Sequence, residues 1–205
     1  MKNILCVICA ATVASAALAN PIVNGDFETG TLGPSTTAYA STNIYDPAQY
    51  IITNYDTVHT SWVDFYDHTY GTGDGHYMVV NGTDDGLGPT WAQTVSVTAN
   101  TQYELSAWFA SLYPAAIATI EFRVNGQLVV PQFSAPNALG VWEQRSVVFN
   151  TGNSTSISVE IWDYNQSYTG NDYAIDDIAL NVVPTPGSAA TLAVGALAAM
   201  RRRRV

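Results

Sequence analysis

Apolar and polar residues alternate through most of the middle of the chain. The pattern runs over residues 93–98, 103–110, 118–124, 142–149, 156–162 and 173–182. A period of two residues is typical of strands with one buried face. Asn125-Gly126 separates residues 118–124 from the apolar run 127–130. This dipeptide predicts a two-residue hairpin, because both turn positions need a positive φ.

The rest of the body is less regular. Strands also fit residues 21–27 and 75–81, and shorter ones fit 50–53 and 60–65 inside an irregular region, residues 29–74. No part of the body keeps an apolar period of 3.6 residues, which argues against helices there. Many short strands separated by turn residues predict an all-β antiparallel sandwich or barrel.

The N-terminus has the pattern of a signal peptide. Lys2 precedes an uncharged apolar stretch, residues 4–18, and Ala17-Leu18-Ala19 fits the small-x-small rule for cleavage. We predict a signal helix over residues 1–19 that is removed before Asn20. A membrane anchor is the alternative, but the stretch is short for one. Both cysteines, Cys6 and Cys9, lie in this segment, so the mature body folds without a disulfide.

The C-terminus has the pattern of a membrane-targeting signal. Pro184-Thr185-Pro186 is followed by an apolar segment, residues 187–200, and then by Arg201, Arg202, Arg203 and Arg204. A short apolar helix partitions into lipid, while the arginines keep that end on the cytoplasmic side. The segment is shorter than the roughly 17–25 residues of a usual spanning helix. The chain therefore divides into residues 1–19, a single domain over 20–183, and a sorting tail over 184–205.

Charge limits the choice of partners. All 17 acidic residues lie in the body, which holds only two basic residues, Arg123 and Arg145, for a formal charge of −15. Such a surface repels nucleic acid phosphates, so we expect no nucleic acid partner. The body is also rich in aromatic and β-branched residues, which disordered chains lack. The composition therefore fits a folded acidic domain, with an affinity for divalent cations, better than a disordered chain.

Two carboxylates at opposite ends of the body are candidates for a metal site. In a jelly-roll sandwich the first and last strands can lie side by side, which would bring Glu28 and Asp177 together. Hard oxygen ligands of this kind suit Ca²⁺. Because neighbouring residues of a strand face opposite sides, only one of Asp176 and Asp177 is expected to point at the site, and we favour Asp177. The alternative is that these carboxylates are exposed or cap turns.

Loop aromatics are candidates for ligand binding. Tyr113 precedes a proline turn, and Trp162, Tyr164 and Tyr168 surround residues 163–172. Flat aromatic faces stack on the apolar faces of sugar rings, while Asp, Asn and Gln bond the hydroxyls. Burial in the core is the alternative for each ring, as it is for the aromatics of residues 62–70.

Signals for catalysis are weak. The sequence has no nucleophile elbow, phosphate-binding loop or dinucleotide fingerprint, and the mature body has no thiol. His59 and His68 lack a recognised metal-ligand spacing. A glycosidase needs only two carboxylates, but nothing in the sequence singles out a pair. We therefore predict that the protein is not an enzyme.

The tail resembles the PEP-CTERM protein-sorting signal of Gram-negative and related bacteria. The resemblance rests on the order Pro184-Thr185-Pro186, apolar segment, Arg201–Arg204, with Thr185 where that family has Glu. It implies processing by an exosortase. The tail would hold the protein transiently at the inner membrane and then be cut near Pro184, leaving the body at the cell surface or outside the cell.

The body resembles the galactose-binding-like jelly rolls, a group that includes carbohydrate-binding modules. The matching residues are Asn24-Gly25-Asp26-Phe27-Glu28, residues 93–97 with 103–108, and residues 173–178. The resemblance implies a jelly-roll sandwich. It also implies a structural Ca²⁺ held by Glu28 and Asp177, with the Gly25 carbonyl as a third ligand.

Together these patterns predict a non-catalytic, exported surface or matrix protein that binds carbohydrate or extracellular polysaccharide. One alternative is a structural envelope or biofilm protein with no small ligand. Another is a hydrolase that acts on glycosides through two carboxylates.

Overall fold

A computed structural model describes residues 19–54, 58–84, 86–113, 115–165 and 169–184. These residues form nine strands and no helix. The strands are β1 (Gln49–Thr53), β2 (Tyr77–Asn81), β3 (Trp91–Ser96), β4 (Gln102–Ser111), β5 (Thr119–Val124), β6 (Gln127–Ser134), β7 (Glu143–Asn150), β8 (Ser156–Asp163) and β9 (Tyr173–Val182). Within these ranges no helix is long and apolar enough to cross a membrane.

The strands form two antiparallel sheets. One has five strands in the order β1-β2-β9-β4-β7, and the other has four in the order β3-β8-β5-β6. The all-β antiparallel sandwich predicted from the sequence is confirmed. The predicted hairpin is also present, because β5 and β6 pair through Asn125 and Gly126, whose φ angles are 50° and 76°.

Alternation places one side of most strands in the core between the sheets. In β3 the side chains of Trp91, Gln93 and Val95 are buried, while Thr94 and Ser96 are exposed. The largest fully buried side chains of this main core include Phe27, Trp91, Leu105, Phe109, Phe122, Ile161, Tyr173 and Ile175. Removing this apolar surface from water is the main contribution to stability.

The segment over residues 20–27 lies beside β9. The Asn20 side chain accepts a hydrogen bond from the backbone of Leu180 at 2.9 Å, and the Gly25 carbonyl accepts one from Ile178 at 2.8 Å. The segment was predicted as a strand, but it is irregular, and Asn24 and Phe27 have positive φ angles. Gly25 allows the close approach, since a Cβ there would lie 2.2 Å from the Ile178 carbonyl oxygen.

A second apolar cluster covers the outer face of the five-stranded sheet. Residues 58–72 run across that face, where Trp62 packs with Tyr77, Ala110, Leu112 and Ala174. Residues 60–65 were predicted as a strand, but they form none. Backbone carbonyls of this segment instead accept hydrogen bonds from the Tyr77 hydroxyl and the Trp142 indole. The five-stranded sheet is therefore buried on both faces around its centre.

The predicted sorting segments fall mostly outside the described residues. Ala19 and Pro184 are the two ends of the described chain, and both are exposed. The signal helix up to residue 18, and Thr185, Pro186, the apolar segment and Arg201 to Arg204, lie outside it.

Candidate functional site

A cleft of about 320 Å³ opens at one end of the five-stranded sheet. Antiparallel pairing brings the end of β2, the end of β4 and the beginning of β9 to this place. The loops that follow or precede those strands, with two loops from the irregular region, supply the walls. The described lining residues are Tyr45, Pro47, His59, Ser61, Trp62, Asn81, Tyr113, Thr169, Gly170 and Asp172.

Three aromatic rings form a stack in one wall of the cleft, with Trp62 buried at its inner end and Tyr45 exposed at its outer end. The His59 ring lies between Tyr45 and Trp62, with ring centroids 4.4 Å from each. Its Nδ1 accepts the backbone N–H of Ser61 at 3.2 Å, and burial lowers the pKa of His59. The imidazole is therefore neutral at pH 7 and packs as a third flat ring.

Asp172 fixes the orientation of Trp62 at the inner end of the ring stack. Its carboxylate accepts the Trp62 indole N–H at 3.0 Å and the Gly82 backbone N–H at 3.3 Å. Burial raises the pKa of Asp172 to about 6, and the two hydrogen bonds partly oppose that rise. At pH 7 the group is mainly a carboxylate, which accepts these hydrogen bonds more strongly than a neutral acid would.

A second buried carboxyl group lies behind Asp172. Asp163 is 3% exposed, and its side chain accepts hydrogen bonds from the Asn165 backbone and, at 2.7 Å, from the Asn171 amide. Burial first, and then the neighbouring Asp172 charge, raise the pKa of Asp163 to about 7. The Asn171 Oδ1 atom is fully buried and has no hydrogen-bond partner among the described residues. These groups support the floor of the cleft but do not line it.

Hydrogen bonds between loops hold the cleft walls. The Asn81 side chain donates to the Ile44 carbonyl at 2.8 Å, which secures the loop that carries Tyr45. The Leu112 N–H donates to the Asp172 carbonyl at 3.0 Å, next to Tyr113. The rings of Tyr45 and Tyr113, bordered by amide, hydroxyl and carboxylate groups, can take the apolar face of a sugar ring while those groups bond its hydroxyls.

The structure separates the four aromatics proposed from the sequence. Tyr113 lines the cleft, whereas Trp162 and Tyr164 belong to the other sheet and the loop after it. The Arg123 guanidinium covers the Trp162 ring at 4.1 Å, and the Trp162 indole N–H donates to Glu160 at 2.8 Å. Tyr164 is 51% exposed. Tyr168 lies outside the described residues.

Sequence reasoning did not select most of the cleft residues. Trp62 and Asp172 are 110 positions apart and meet through one hydrogen bond. Tyr45 and His59 lie in the irregular region, where no period indicates which side chains meet. The only local signal was the density of aromatic residues there.

The predicted calcium ligands do not all lie in one place. Gly25 and Asp177 line a polar cleft of about 220 Å³, together with Asn20, Asn24 and Asp26. Glu28 is not among its lining residues. The Glu28 carboxylate accepts the His76 backbone N–H at 3.0 Å, and burial raises the pKa of Glu28. Asp26, rather than Glu28, accompanies Gly25 and Asp177 in this cleft.

Within the described residues no group of three or more His, Cys, Asp or Glu side chains has the geometry of a metal site. The Asp177 carboxylate accepts from the Thr69 hydroxyl at 3.0 Å and lies 2.6 Å from Nδ1 of His68. The Gly25 carbonyl accepts the Ile178 N–H. Calcium binding by Gly25, Glu28 and Asp177 stays a prediction.

The expectation that Asp176 and Asp177 face opposite sides was wrong. A β-bulge interrupts the pairing of β9 with β4 here, and Asp177 has a φ of 47°. The extra residue turns both carboxylates toward residues 68–69. Asp176 accepts the His68 backbone N–H at 2.8 Å, and burial, followed by the Asp177 charge, raises the pKa of Asp176 to about 8.

Comparison with known proteins identifies the fold. No family model and no curated protein matches the sequence. The solved structure of a CBM22 tandem domain from Paenibacillus barcinonensis Xyn10C matches with a TM-score of 0.54 at 15% identity, over 85% of this chain and 48% of that one. TmCBM61 in complex with β-1,4-galactotriose matches with a TM-score of 0.53 at 15% identity, over 80% and 99%.

A cyclase from Fischerella sp. TAU has the same architecture, with a TM-score of 0.55 at 15% identity, over 83% of this chain and 99% of the cyclase. The chain therefore has the jelly-roll sandwich of carbohydrate-binding modules. Because an enzyme shares it, the fold alone does not determine the activity, which has to be argued from the site.

Proposed function

We propose that the protein is a non-catalytic carbohydrate-binding protein, and that it binds its ligand in the cleft of Tyr45, His59, Trp62, Tyr113 and Asp172. The observation that carries this proposal is the three-ring stack, which the bond between Trp62 and Asp172 anchors and which leaves the Tyr45 ring 53% exposed at the cleft. The jelly-roll neighbours include a module bound to β-1,4-galactotriose, which supports a glycan as the ligand class.

The charged groups of the cleft favour binding over hydrolysis. A two-carboxylate hydrolase needs an acid and a second carboxylate on either side of the scissile bond. Asp172 is the only acidic residue among the described lining residues, and Asp163 is 3% exposed behind it. The Asp172 carboxylate accepts hydrogen bonds from the Trp62 indole and the Gly82 backbone, and it thereby positions the Trp62 ring.

The setting that we propose for this activity is extracellular. The leader ending at Ala19 would direct export, and the tail beginning at Pro184 would be recognised by an exosortase-type enzyme at the inner membrane. The released domain would then bind polysaccharide at the cell surface or in the surrounding matrix. Its acidic body, with a formal charge of −15, keeps it soluble there.

Titration calorimetry with β-1,4-galactan and β-1,4-xylan tests the binding activity. Tyr113→Ala removes an aromatic ring that lines the cleft. It should weaken binding at least about tenfold, as expected for the loss of an aromatic contact with the ligand. Tyr164→Ala is the matched control. Tyr164 is an exposed tyrosine in the loop after β8 and is not among the described residues that line the cleft, so its loss should leave the affinity unchanged.

Trp62→Phe adds a second test, since it keeps a ring but removes the hydrogen bond to Asp172. We expect weaker binding with an unchanged fold by circular dichroism. The proposal fails if neither polysaccharide binds, or if Tyr164→Ala rather than Tyr113→Ala abolishes binding.

A further inference from the structure

The positive charges of the body are all engaged away from the cleft. The body has no lysine and two arginines. Arg123 bonds Glu121 through Nε at 2.7 Å and through a terminal nitrogen at 2.6 Å. Arg145 bonds Glu143 at 2.8 Å. Neither arginine is among the described residues that line the cleft.

The cleft itself carries negative charge. Asp172 is the one formally charged side chain among its described lining residues, since the half-buried His59 ring has a lowered pKa and is neutral at pH 7. Asp46 follows Tyr45 at the rim and is exposed. A ligand carboxylate or sulfate would therefore meet a carboxylate and find no guanidinium or ammonium group for a charge-assisted hydrogen bond.

We infer that this cleft selects uncharged glycans and excludes polyuronates and sulfated glycans, with Asp172 and the lack of a cation among the described lining residues as the determinants. This inference rests on the proposed function and adds the ligand class. Two like charges about 6 Å apart near a protein surface repel strongly enough to weaken binding at least about tenfold. The charge of −15 on the whole body adds a longer-range repulsion that salt screens.

Matched polymers separate charge from shape. The probes are β-1,4-galactan, the same polymer oxidised at C6 to carboxylates, and the methyl ester of that oxidised polymer. Xylan and xylan substituted with glucuronic acid provide a second pair. We expect the oxidised galactan to bind the full chain at least about tenfold more weakly than the parent in 50 mM salt. The ester should bind within about threefold of the parent, and 0.5 M salt should narrow the difference.

Adding a cation at the cleft should weaken its preference for the uncharged polymer. Ser61 lines the cleft and is exposed, so Ser61→Arg places a guanidinium at its mouth, and Ser61→Gln is the uncharged control of similar reach. Ser61→Arg should narrow the ratio between the parent and oxidised polymers at least about threefold, while Ser61→Gln leaves it unchanged. Thr169→Arg, at another exposed lining position, gives an independent test should the first variant fold poorly.

The outcomes distinguish the two proposals. Oxidised galactan that binds as tightly as its parent overturns the charge selection and leaves carbohydrate binding intact. An ester that binds as weakly as the oxidised polymer also overturns it, because shape at C6 would then be the cause. Failure of both galactan and xylan to bind overturns the proposed function and this inference together.

Discussion

Replacing Asp163 by Asn should change how stability depends on pH. Burial raises the pKa of Asp163 to about 7, against 3.8 in an exposed chain. Between these values the folded state binds a proton that the unfolded state has released, so the free energy of unfolding falls as pH rises from about 4 to about 7. A shift of roughly three units corresponds to about 4 kcal/mol of stability lost over that window.

Asp163→Asn removes this group's contribution to the fall, while Asp172 and Asp176, whose pKa values burial also raises, keep theirs. The two proteins should have similar stability at pH 4, and the variant should be more stable by about 3–4 kcal/mol at pH 8. The amide oxygen of the variant can keep one of the hydrogen bonds that Asp163 accepts from the Asn165 backbone and the Asn171 side chain. The neutral side chain therefore suits this site better than the carboxylate at alkaline pH.

Urea denaturation at half-unit intervals from pH 4 to pH 8 measures this effect. Asp84→Asn is the control, because Asp84 is exposed and its replacement should leave the pH profile of the wild type unchanged in shape. The result that contradicts this reasoning is a free energy of unfolding that varies with pH in parallel for Asp163→Asn and the wild type. Ionisation of Asp163 would then not lower stability, and the argument from its burial would be wrong.

Three further predictions concern other parts of the chain. Gly25→Ala should lower stability by about 2–3 kcal/mol in urea denaturation, because the new Cβ would overlap the Ile178 carbonyl. If calcium binds, EDTA should lower the melting temperature by several degrees, and Asp177→Asn should abolish that response. Mass spectrometry of the protein from its native cell should find a mature chain that begins at Asn20 and ends near Pro184.

These three tests have internal controls. Gly152→Ala introduces a Cβ with no atom within 4 Å, at a φ of 53°. Its cost is then only the backbone strain of a left-handed residue, about 1 kcal/mol, and should be smaller than that of Gly25→Ala. Asp84→Asn should retain the EDTA response. A melting temperature that EDTA leaves unchanged contradicts the calcium site, and a mature chain that keeps its initiator methionine contradicts export.

Much of the sandwich was predictable because its strands are locally encoded. Alternating residues identified β3, β4, β5, β7, β8 and β9, and Asn125-Gly126 identified the β5–β6 hairpin. The segment over residues 20–27 failed as a strand because Asn24 and Phe27 adopt positive φ angles. Its contacts with β9 are set by long-range packing that no local pattern records.

The site was less predictable, for a related reason. Loop position and aromatic character selected Tyr113 and Tyr164 equally, yet only Tyr113 lies at the end of the five-stranded sheet. Trp62 was one of several aromatics of the irregular region for which binding and core burial both stayed open. Its role depends on Asp172, which the topology brings to it from far along the chain. The bulge at Asp177 likewise depends on pairing with β4 and reverses what simple alternation predicts.

Strand β9 acts as a spacer between two ends of the molecule. The cleft lies at its beginning, beside Asp172, whereas Asn20 contacts Leu180 near its end, where the chain continues to Pro184. Ten extended residues separate these points by about 30 Å. Pro184 therefore leaves the domain at the end of β9 opposite the cleft, which keeps the cleft entrance apart from whatever follows Pro184.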